Sequence, residues 1–188
     1  RNVPLKSMLE AELRGMPGSV SGLRVVLDNE ANAGAVGEKQ YGIGRSFRDL
    51  VYISAGVGIG AGLILGNELF RGASGFSGEL GHMAIVADGG RTCSCGGVGC
   101  WELYASELAL AATDAGPDYK ELESALQLAE AGDALAAELF GRIGRYLGIG
   151  VANAVNVFNP EMVVIGGRLA LARAWLERPL REAAARRT

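Results

Sequence analysis

Residues 78–102 read GELGHMAIVADGGRTCSCGGVGCWE and hold every cysteine of the chain, Cys93, Cys95 and Cys100, together with its single histidine, His82. Three thiolates and one imidazole complete a tetrahedral zinc set that leaves no position for a catalytic water. The glycines allow the tight backbone turns that such convergence needs. The stretch therefore predicts a structural zinc site stapling a loop over about 78–104; the alternative is three buried free thiols and a core histidine. An odd, crowded cysteine set also argues against a disulfide framework and favours the reducing cytoplasm.

The segments on either side of this loop predict a mixed α/β fold. Apolar runs separated by glycine turns predict strands over 23–27, 51–54, 59–65 and 162–165. Helical periodicity covers 5–15, 31–37, 133–158 and 170–187. Few strands serve several long helices, so we expect the sheet to be completed by strands or a partner lobe outside this chain.

Composition and charge exclude several classes of function. The chain has 188 residues, a formal net charge of −3, and 29 glycines, about twice the usual glycine content. A net acidic chain lacks the clustered positive charge of a DNA-binding surface, so we expect any DNA contact to lie in another domain. The uncharged stretch 50–67 alternates and is glycine-rich, which indicates a buried hairpin and no membrane span. Residues 1–15 are amphipathic and charged, with no apolar core segment, so we expect no signal peptide there.

The motif Gly78-Glu79-Leu80-Gly81-His82, followed by the cysteine string that ends in Trp101-Glu102, resembles the ROK family of repressors, open reading frames and sugar kinases. The resemblance continues through residues 29–38, 58–62 and 159–167. It implies the actin-like (ribonuclease H-like) ATPase fold, with residues 1–188 similar to the C-terminal lobe and sugar-binding edge. We expect the first lobe with its phosphate loop, any winged-helix domain and the last C-terminal elements to lie outside this chain.

The same resemblance implies two groups of ligand-binding residues. A sugar would be held between the lobes by Asn29, Glu30, Glu79, His82 and Glu102. His82 would turn one ring nitrogen to zinc and the other to a sugar hydroxyl. The glycine hairpin resembles the second phosphate-binding segment of the family's kinases, with backbone N–H groups offered at Gly56, Gly58 and Gly60. Without the family resemblance, the alternative interpretation is that the carboxylates are solvated loop residues and that the glycine turn is a close-packed hairpin.

Two departures from the kinase pattern favour a regulator over an enzyme. Glu30 stands where the kinases place the aspartate that acts as general base, and the extra methylene displaces the carboxylate by about 1 Å or more. Val57 stands where the kinases place a threonine, and valine cannot donate to a phosphate oxygen. We therefore predict the sugar-sensing effector domain of a ROK-type transcriptional regulator, with no catalytic residue. A sugar kinase using ATP and Glu30 as base, or a degenerate scaffold, remains the alternative.

Partner surfaces are less defined by the sequence. A homodimer or larger assembly could form through the helix 133–158 and through Trp101 and Tyr104 beside the cysteine loop. The alternative is that Trp101 packs beneath that loop.

Overall fold

A computed structural model describes residues 3–18 and 24–188, and four strands form one mixed sheet in that part of the chain. The strands are β1 (Leu50–Ala55), β2 (Ile59–Leu65), β3 (Glu68–Leu69) and β4 (Met162–Gly166). Their order across the sheet is β3-β2-β1-β4, with β1 antiparallel to β2 and parallel to β4. Because β1 and β4 are parallel, their carboxyl ends lie side by side at one end of the sheet, although the two strands are distant in sequence.

The described residues also form seven α-helices. They are α1 (Leu5–Gly15), α2 (Glu30–Gln40), α3 (Glu102–Ala105), α4 (Glu107–Ala111), α5 (Leu122–Glu130), α6 (Ala134–Phe158) and α7 (Arg173–Ala185). Short 3₁₀ turns lie at Ile43–Ser46, Leu80–His82, Pro117–Tyr119 and Arg168–Ala172. The mixed α/β architecture predicted from the sequence is confirmed.

The alternation of apolar residues along β1 gives the sheet two covered faces. Val51 and Ile53 point into the larger core, which they share with α6. Leu50 lies in the smaller core on the opposite face, together with Ala35 of α2. Successive strand side chains point to opposite faces, so a fully apolar strand needs helices on both sides. The sheet is thus a central layer between α2 and α6.

Close approach of α2 to β2 depends on glycine. A Cβ at Gly62 would lie 2.4 Å from the carbonyl oxygen of Ala31 and 2.6 Å from the Cβ of Ala35. These distances are far below van der Waals contact, so a larger residue would push α2 off the sheet. The packing fixes the N-terminus of α2 beside the β1–β2 hairpin.

The long helix α6 has a cap at each end. Asp133 Oδ1 accepts a hydrogen bond of 2.8 Å from the backbone N–H of Ala136, which satisfies one of the free donors of the first turn. Asn159 ends the helix in the left-handed conformation with φ of 44°, ahead of Pro160. The sequence prediction of a helix ending before Asn159 and a strand from Met162 is confirmed.

Two sequence predictions about these elements are wrong or displaced. The predicted strand over 23–27 does not form: Leu23 lies outside the described residues, and residues 24–29 join no sheet. Val26 is 82% exposed, so the apolar run alone does not create a strand where no neighbouring strand pairs with it. The predicted helix 170–187 begins at Arg173, after the 3₁₀ turn.

The first helix, α1, lies on the surface of the described structure. None of the α1 residues is buried, and the apolar side chains of Leu5 and Met8 remain about half exposed. In the segments that the structure covers, every helix is too short or too polar to traverse a lipid bilayer.

Candidate functional site

A densely hydrogen-bonded loop shapes the cysteine cluster. The backbone N–H of Cys93 donates to the carbonyl of Gly97 at 2.8 Å, and that of Gly96 donates back to Cys93 at 3.0 Å. Gly99 has φ of +75°, and a Cβ there would lie 1.9 Å from the carbonyl oxygen of Val86. Only glycine meets both conditions, so Gly99 closes the loop against residue 86 and turns Cys100 inward.

The four predicted ligands converge as expected from the sequence. One ligand atom each from His82, Cys93, Cys95 and Cys100 lies within 4.8 Å of the others. The sulfurs of Cys95 and Cys100 are 3.7 Å apart, and Nδ1 of His82 is 3.6 Å from the sulfur of Cys93. With Zn–S bonds of about 2.3 Å, tetrahedral geometry separates two sulfurs by about 3.8 Å. The cluster therefore matches the donor set and spacing of a metal centre.

The thiols of this cluster differ in acidity. The backbone N–H of Gly97 donates to the sulfur of exposed Cys95 at 3.4 Å, which lowers the pKa of that thiol. Burial, together with the neighbouring cysteines, raises the pKa of Cys100 to about 12. A cation that binds Cys100 must therefore displace a tightly held proton.

His82 joins the cysteine cluster to two carboxylates. Its Nδ1 lies 3.6 Å from Oε1 of Glu102, and its Nε2 lies 3.9 Å from Oε2 of Glu79. The Glu79 side chain is 56% exposed and that of Glu102 only 12%. The ring thus presents Nδ1 to the sulfurs and Nε2 to the exposed side. The structure brings together the predicted sugar-binding residues Glu79, His82 and Glu102.

Glu102 also contacts the cluster directly. The thiol of Cys93 donates a hydrogen bond of 3.1 Å to Oε1 of Glu102. A metal-bound thiolate has no proton to donate, so this contact exists only while Cys93 is protonated. Binding of a metal ion by Cys93 would therefore remove this hydrogen bond to Glu102.

The other two predicted sugar-binding residues lie at the start of α2. Oδ1 of Asn29 caps the helix, accepting from the backbone N–H groups of Ala31 at 2.9 Å and Asn32 at 3.4 Å. Its amide NH₂ group makes no hydrogen bond to the described residues. Glu30 Oε1 accepts a hydrogen bond of 2.7 Å from the hydroxyl of Ser54. Asn29 can therefore donate to a hydroxyl but has its oxygen committed to the helix.

The glycine hairpin lies between these two groups of residues. A Cβ at Gly60 would lie 3.1 Å from the Cβ of Ala31, at the start of α2. A Cβ at Gly58 would lie 2.9 Å from Oε2 of Glu102. Among the described residues, no hydrogen bond or ion pair joins Asn29 or Glu30 to the His82 group. The two groups therefore meet only through the hairpin.

An ion-pair cluster beside this hairpin was not predicted from the sequence. Arg168 contacts Oε2 of Glu107 at 3.0 Å and also pairs with Glu123. The other carboxylate oxygen of Glu107 is buried without a hydrogen-bond partner and lies 3.8 Å from the Cβ position of Gly56. Burial raises the pKa of Glu107, against the opposing effect of Arg168. The paired residues are 45 and 61 positions apart, so no local pattern reveals the cluster.

A second ion pair holds the approach to α2. Arg71 forms a two-pronged pair with Asp28, whose Oδ1 also accepts the backbone N–H of Asn29 at 2.8 Å. The Arg71 guanidinium lowers the pKa of Asp28 to about 2. This pair ties the glycine-rich loop to the N-terminus of α2.

Trp101 anchors the loop from beneath. Its side chain is fully buried, and Nε1 donates a hydrogen bond of 2.8 Å to the carbonyl of Tyr146 on α6. A Cβ at Gly150 would lie 2.0 Å from the indole ring. The alternative in which Trp101 packs beneath the loop is confirmed, and the suggestion that its side chain offers a dimer surface is wrong.

The chain belongs to the ROK family, because the model of that family matches residues 1–187. A xylose repressor of Caldicellulosiruptor bescii is 40% identical over 183 residues, covering 89% of this chain and 44% of the repressor. The chain thus spans less than half the length of that relative. The sequence identification of the family is confirmed.

Solved structures of the family superimpose closely on this chain. A ROK family glucokinase from Streptomyces griseus, solved with glucose and AMPPNP, has a TM-score of 0.80 and 33% identity, covering 99% of this chain and 63% of the kinase. A ROK family transcriptional regulator, a homologue of the E. coli MLC protein, has a TM-score of 0.77 and 32% identity, covering 89% of this chain and 45% of the regulator. The predicted fold class is confirmed, and the fold is shared by kinases and regulators.

Proposed function

We propose that this chain is the sugar-binding effector domain of a transcriptional regulator whose DNA-binding domain lies outside residues 1–188. The observation that carries the proposal is the pairing of hydroxyl-binding side chains with a hairpin poorly suited to phosphate. Glu79, His82 and Glu102 converge, while Val57 lies in the hairpin turn and a buried, unpaired oxygen of Glu107 lies beside it. The 40% identity to a xylose repressor supports the same conclusion.

Sugar hydroxyls suit these side chains chemically. Carboxylates accept from vicinal hydroxyls, and Nε2 of His82 can donate once Nδ1 faces the cysteine cluster. A site built to bind a hydroxyl rejects ligands that lack it, because its polar groups would then stay unpaired. Glu102, with a side chain only 12% exposed, is the residue on which specificity should depend most.

We assign zinc to the cluster of His82, Cys93, Cys95 and Cys100 because three cysteines and one histidine at these spacings form a structural zinc set. A bound cation would fix the loop and orient the His82 ring toward the sugar. Free thiols and zinc ligands are maintained in a reducing compartment, so the protein would act in the cytoplasm. In the dimeric regulator that we envisage, sugar binding shifts the closure of two lobes and so repositions the DNA-binding domains.

Titration calorimetry with the full-length protein and a panel of aldoses, beginning with xylose, tests the proposal. We expect one aldose to bind, and Glu102→Gln to weaken its binding at least tenfold because a charged hydrogen bond is lost. Glu138→Gln on the exposed side of α6 is the matched control and should leave affinity unchanged. Equal affinities in the two variants, or no aldose binding by the full-length protein, would contradict the assignment.

A sugar kinase is the second candidate, supported by the hydrogen bond that holds Glu30 and by the similarity to the glucokinase structure. In a kinase, Glu30 would accept the hydroxyl proton as the phosphoryl group transfers from ATP. Glu30→Asp shortens the side chain to that of the family's kinases and should then raise turnover. We expect no ATP-dependent sugar phosphorylation by the unmodified protein or by the Glu30→Asp variant in a coupled assay. Turnover at ordinary kinase rates would favour the sugar-kinase function.

A further inference from the structure

Four arginines line a cavity between α6 and α7, on a surface with no part in the proposed sugar site. The cavity has a volume of about 330 Å³, and its arginines are Arg142, Arg145, Arg186 and Arg187. One carboxylate, Glu182, shares the lining. The cavity is thus strongly positive on a chain whose formal net charge is −3. Such a local reversal of charge needs a reason beyond solubility.

Helix capping accounts for only one of the four. Arg187 donates a hydrogen bond of 2.8 Å to the carbonyl of Ala183 and so satisfies an end group of α7. Arg142, Arg145 and Arg186 form no ion pair or hydrogen bond within residues 3–18 and 24–188. Glu182 is paired with Arg178 at 2.8 Å, and both Arg178 and the nearby Arg186 lower the pKa of Glu182. Arg142 and Arg145 therefore line the cavity without a counter-ion from the described residues.

The walls of the cavity are held rigidly. A Cβ at Gly144 would lie 2.6 Å from the carbonyl of Leu176, and one at Gly148 would lie 2.3 Å from that of Leu180. These glycines bring α7 into backbone contact with α6. Arg142 and Arg145 are three residues apart and so share one face of α6. The cavity therefore exists before any ligand binds, and little ordering of the helices is needed.

We propose that this arginine cavity binds a small phosphate-bearing anion, either inorganic phosphate or a phosphate monoester. Guanidinium groups form paired, parallel hydrogen bonds with phosphate oxygens, and the two unneutralised ones, Arg142 and Arg145, match the two charges of a phosphate. The volume is that of a small-molecule site, and Tyr146 and Pro179 supply an apolar wall for the organic part of an ester. The cavity lies apart from the proposed sugar site, and its assignment does not rest on the proposed function.

Titration calorimetry on the full chain with inorganic phosphate and with glycerol 3-phosphate tests this inference, with glycerol as the uncharged control. We expect saturable binding of at least one anion and none of glycerol. Tighter binding of the ester would identify an organic phosphate as the ligand, and equal binding would identify phosphate alone. Absence of saturable binding of either anion would overturn the proposal.

Matched double variants locate the binding. Arg142→Gln with Arg145→Gln should weaken anion binding at least tenfold, whereas Arg173→Gln with Arg181→Gln on the outer side of α7 should change it less than twofold. The control pair removes the same charge, and among the described residues both of its arginines pair with Glu177. Circular dichroism checks that each variant folds. Arg186→Gln is a separate single variant that tests another exposed arginine of the cavity. Equal weakening in both pairs would overturn the proposal, as would arginine-dependent binding of duplex DNA that phosphate monoester does not displace.

Discussion

Replacement of Gly150 by alanine tests whether Trp101 anchors the cysteine loop to α6. The new Cβ would lie 2.0 Å from the indole ring, about 1.5 Å inside ordinary carbon contact. Trp101 is fully buried, and its hydrogen bond to the carbonyl of Tyr146 keeps the ring from rotating aside. Either α6 or the indole ring of Trp101 must therefore move.

The expected cost follows from three contributions. Overpacking of this severity costs about 3 kcal/mol, and loss of the indole hydrogen bond about 1 kcal/mol more. Alanine recovers about 1 kcal/mol over glycine in a helix interior. We therefore expect Gly150→Ala to lower the free energy of unfolding by about 3 kcal/mol.

Gly141 provides the matched control on the same helix. The nearest atom to its Cβ position is Cγ of Pro179 at 3.9 Å, an ordinary contact. Gly141→Ala should thus be neutral or stabilising by up to about 1 kcal/mol. Urea denaturation followed by circular dichroism measures both. If the two variants were equally stable, the anchoring role assigned to Trp101 would be refuted.

The remaining predictions concern the loop and α2. Cys95→Ser should lower the zinc content of purified protein from about one ion per chain to well below one, measured by atomic emission, because a tetrahedral set loses a ligand. Gly58→Ala should weaken sugar binding at least tenfold in calorimetry, because the Cβ would lie 2.9 Å from Oε2 of Glu102; unchanged affinity would place the sugar elsewhere. Asp28 has its pKa lowered to about 2 by Arg71, so its stabilising charge is present above pH 4 and is lost as pH falls toward 2. Asp28→Asn should abolish that part of the acid-induced loss of stability seen by thermal melting; an identical pH profile would contradict it.

The cysteine cluster could be predicted because its chemistry is local and rare in the sequence. Every cysteine and the only histidine lie within one glycine-rich stretch, and the structure brings their ligand atoms within 4.8 Å. The prediction that Glu79 and Glu102 bind a sugar depended on the family resemblance, since a loop carboxylate alone indicates nothing specific. The long helix α6 followed from its sustained apolar periodicity.

Other features could not be predicted, for identifiable physical reasons. The helices α3, α4 and α5 are four to nine residues long, too short to show clear periodicity. The run containing Val26 has the apolar content of a strand, but strand formation depends on a neighbouring edge. The pairing of Arg168 with Glu107 joins α4 to the turn after β4, and such tertiary contacts leave no local pattern.

Tyr146 belongs to two parts of the molecule at once. Its carbonyl receives the Trp101 indole, its ring packs against Tyr104 with centroids 5.1 Å apart, and its side chain lines the arginine cavity. A shift of the cysteine loop would thus reach an anion held between α6 and α7 through this one residue. Thermodynamic linkage then demands reciprocity: an anion that changes sugar affinity by some factor must have its own affinity changed by the same factor. The effector domain would respond to two metabolic signals through one protein.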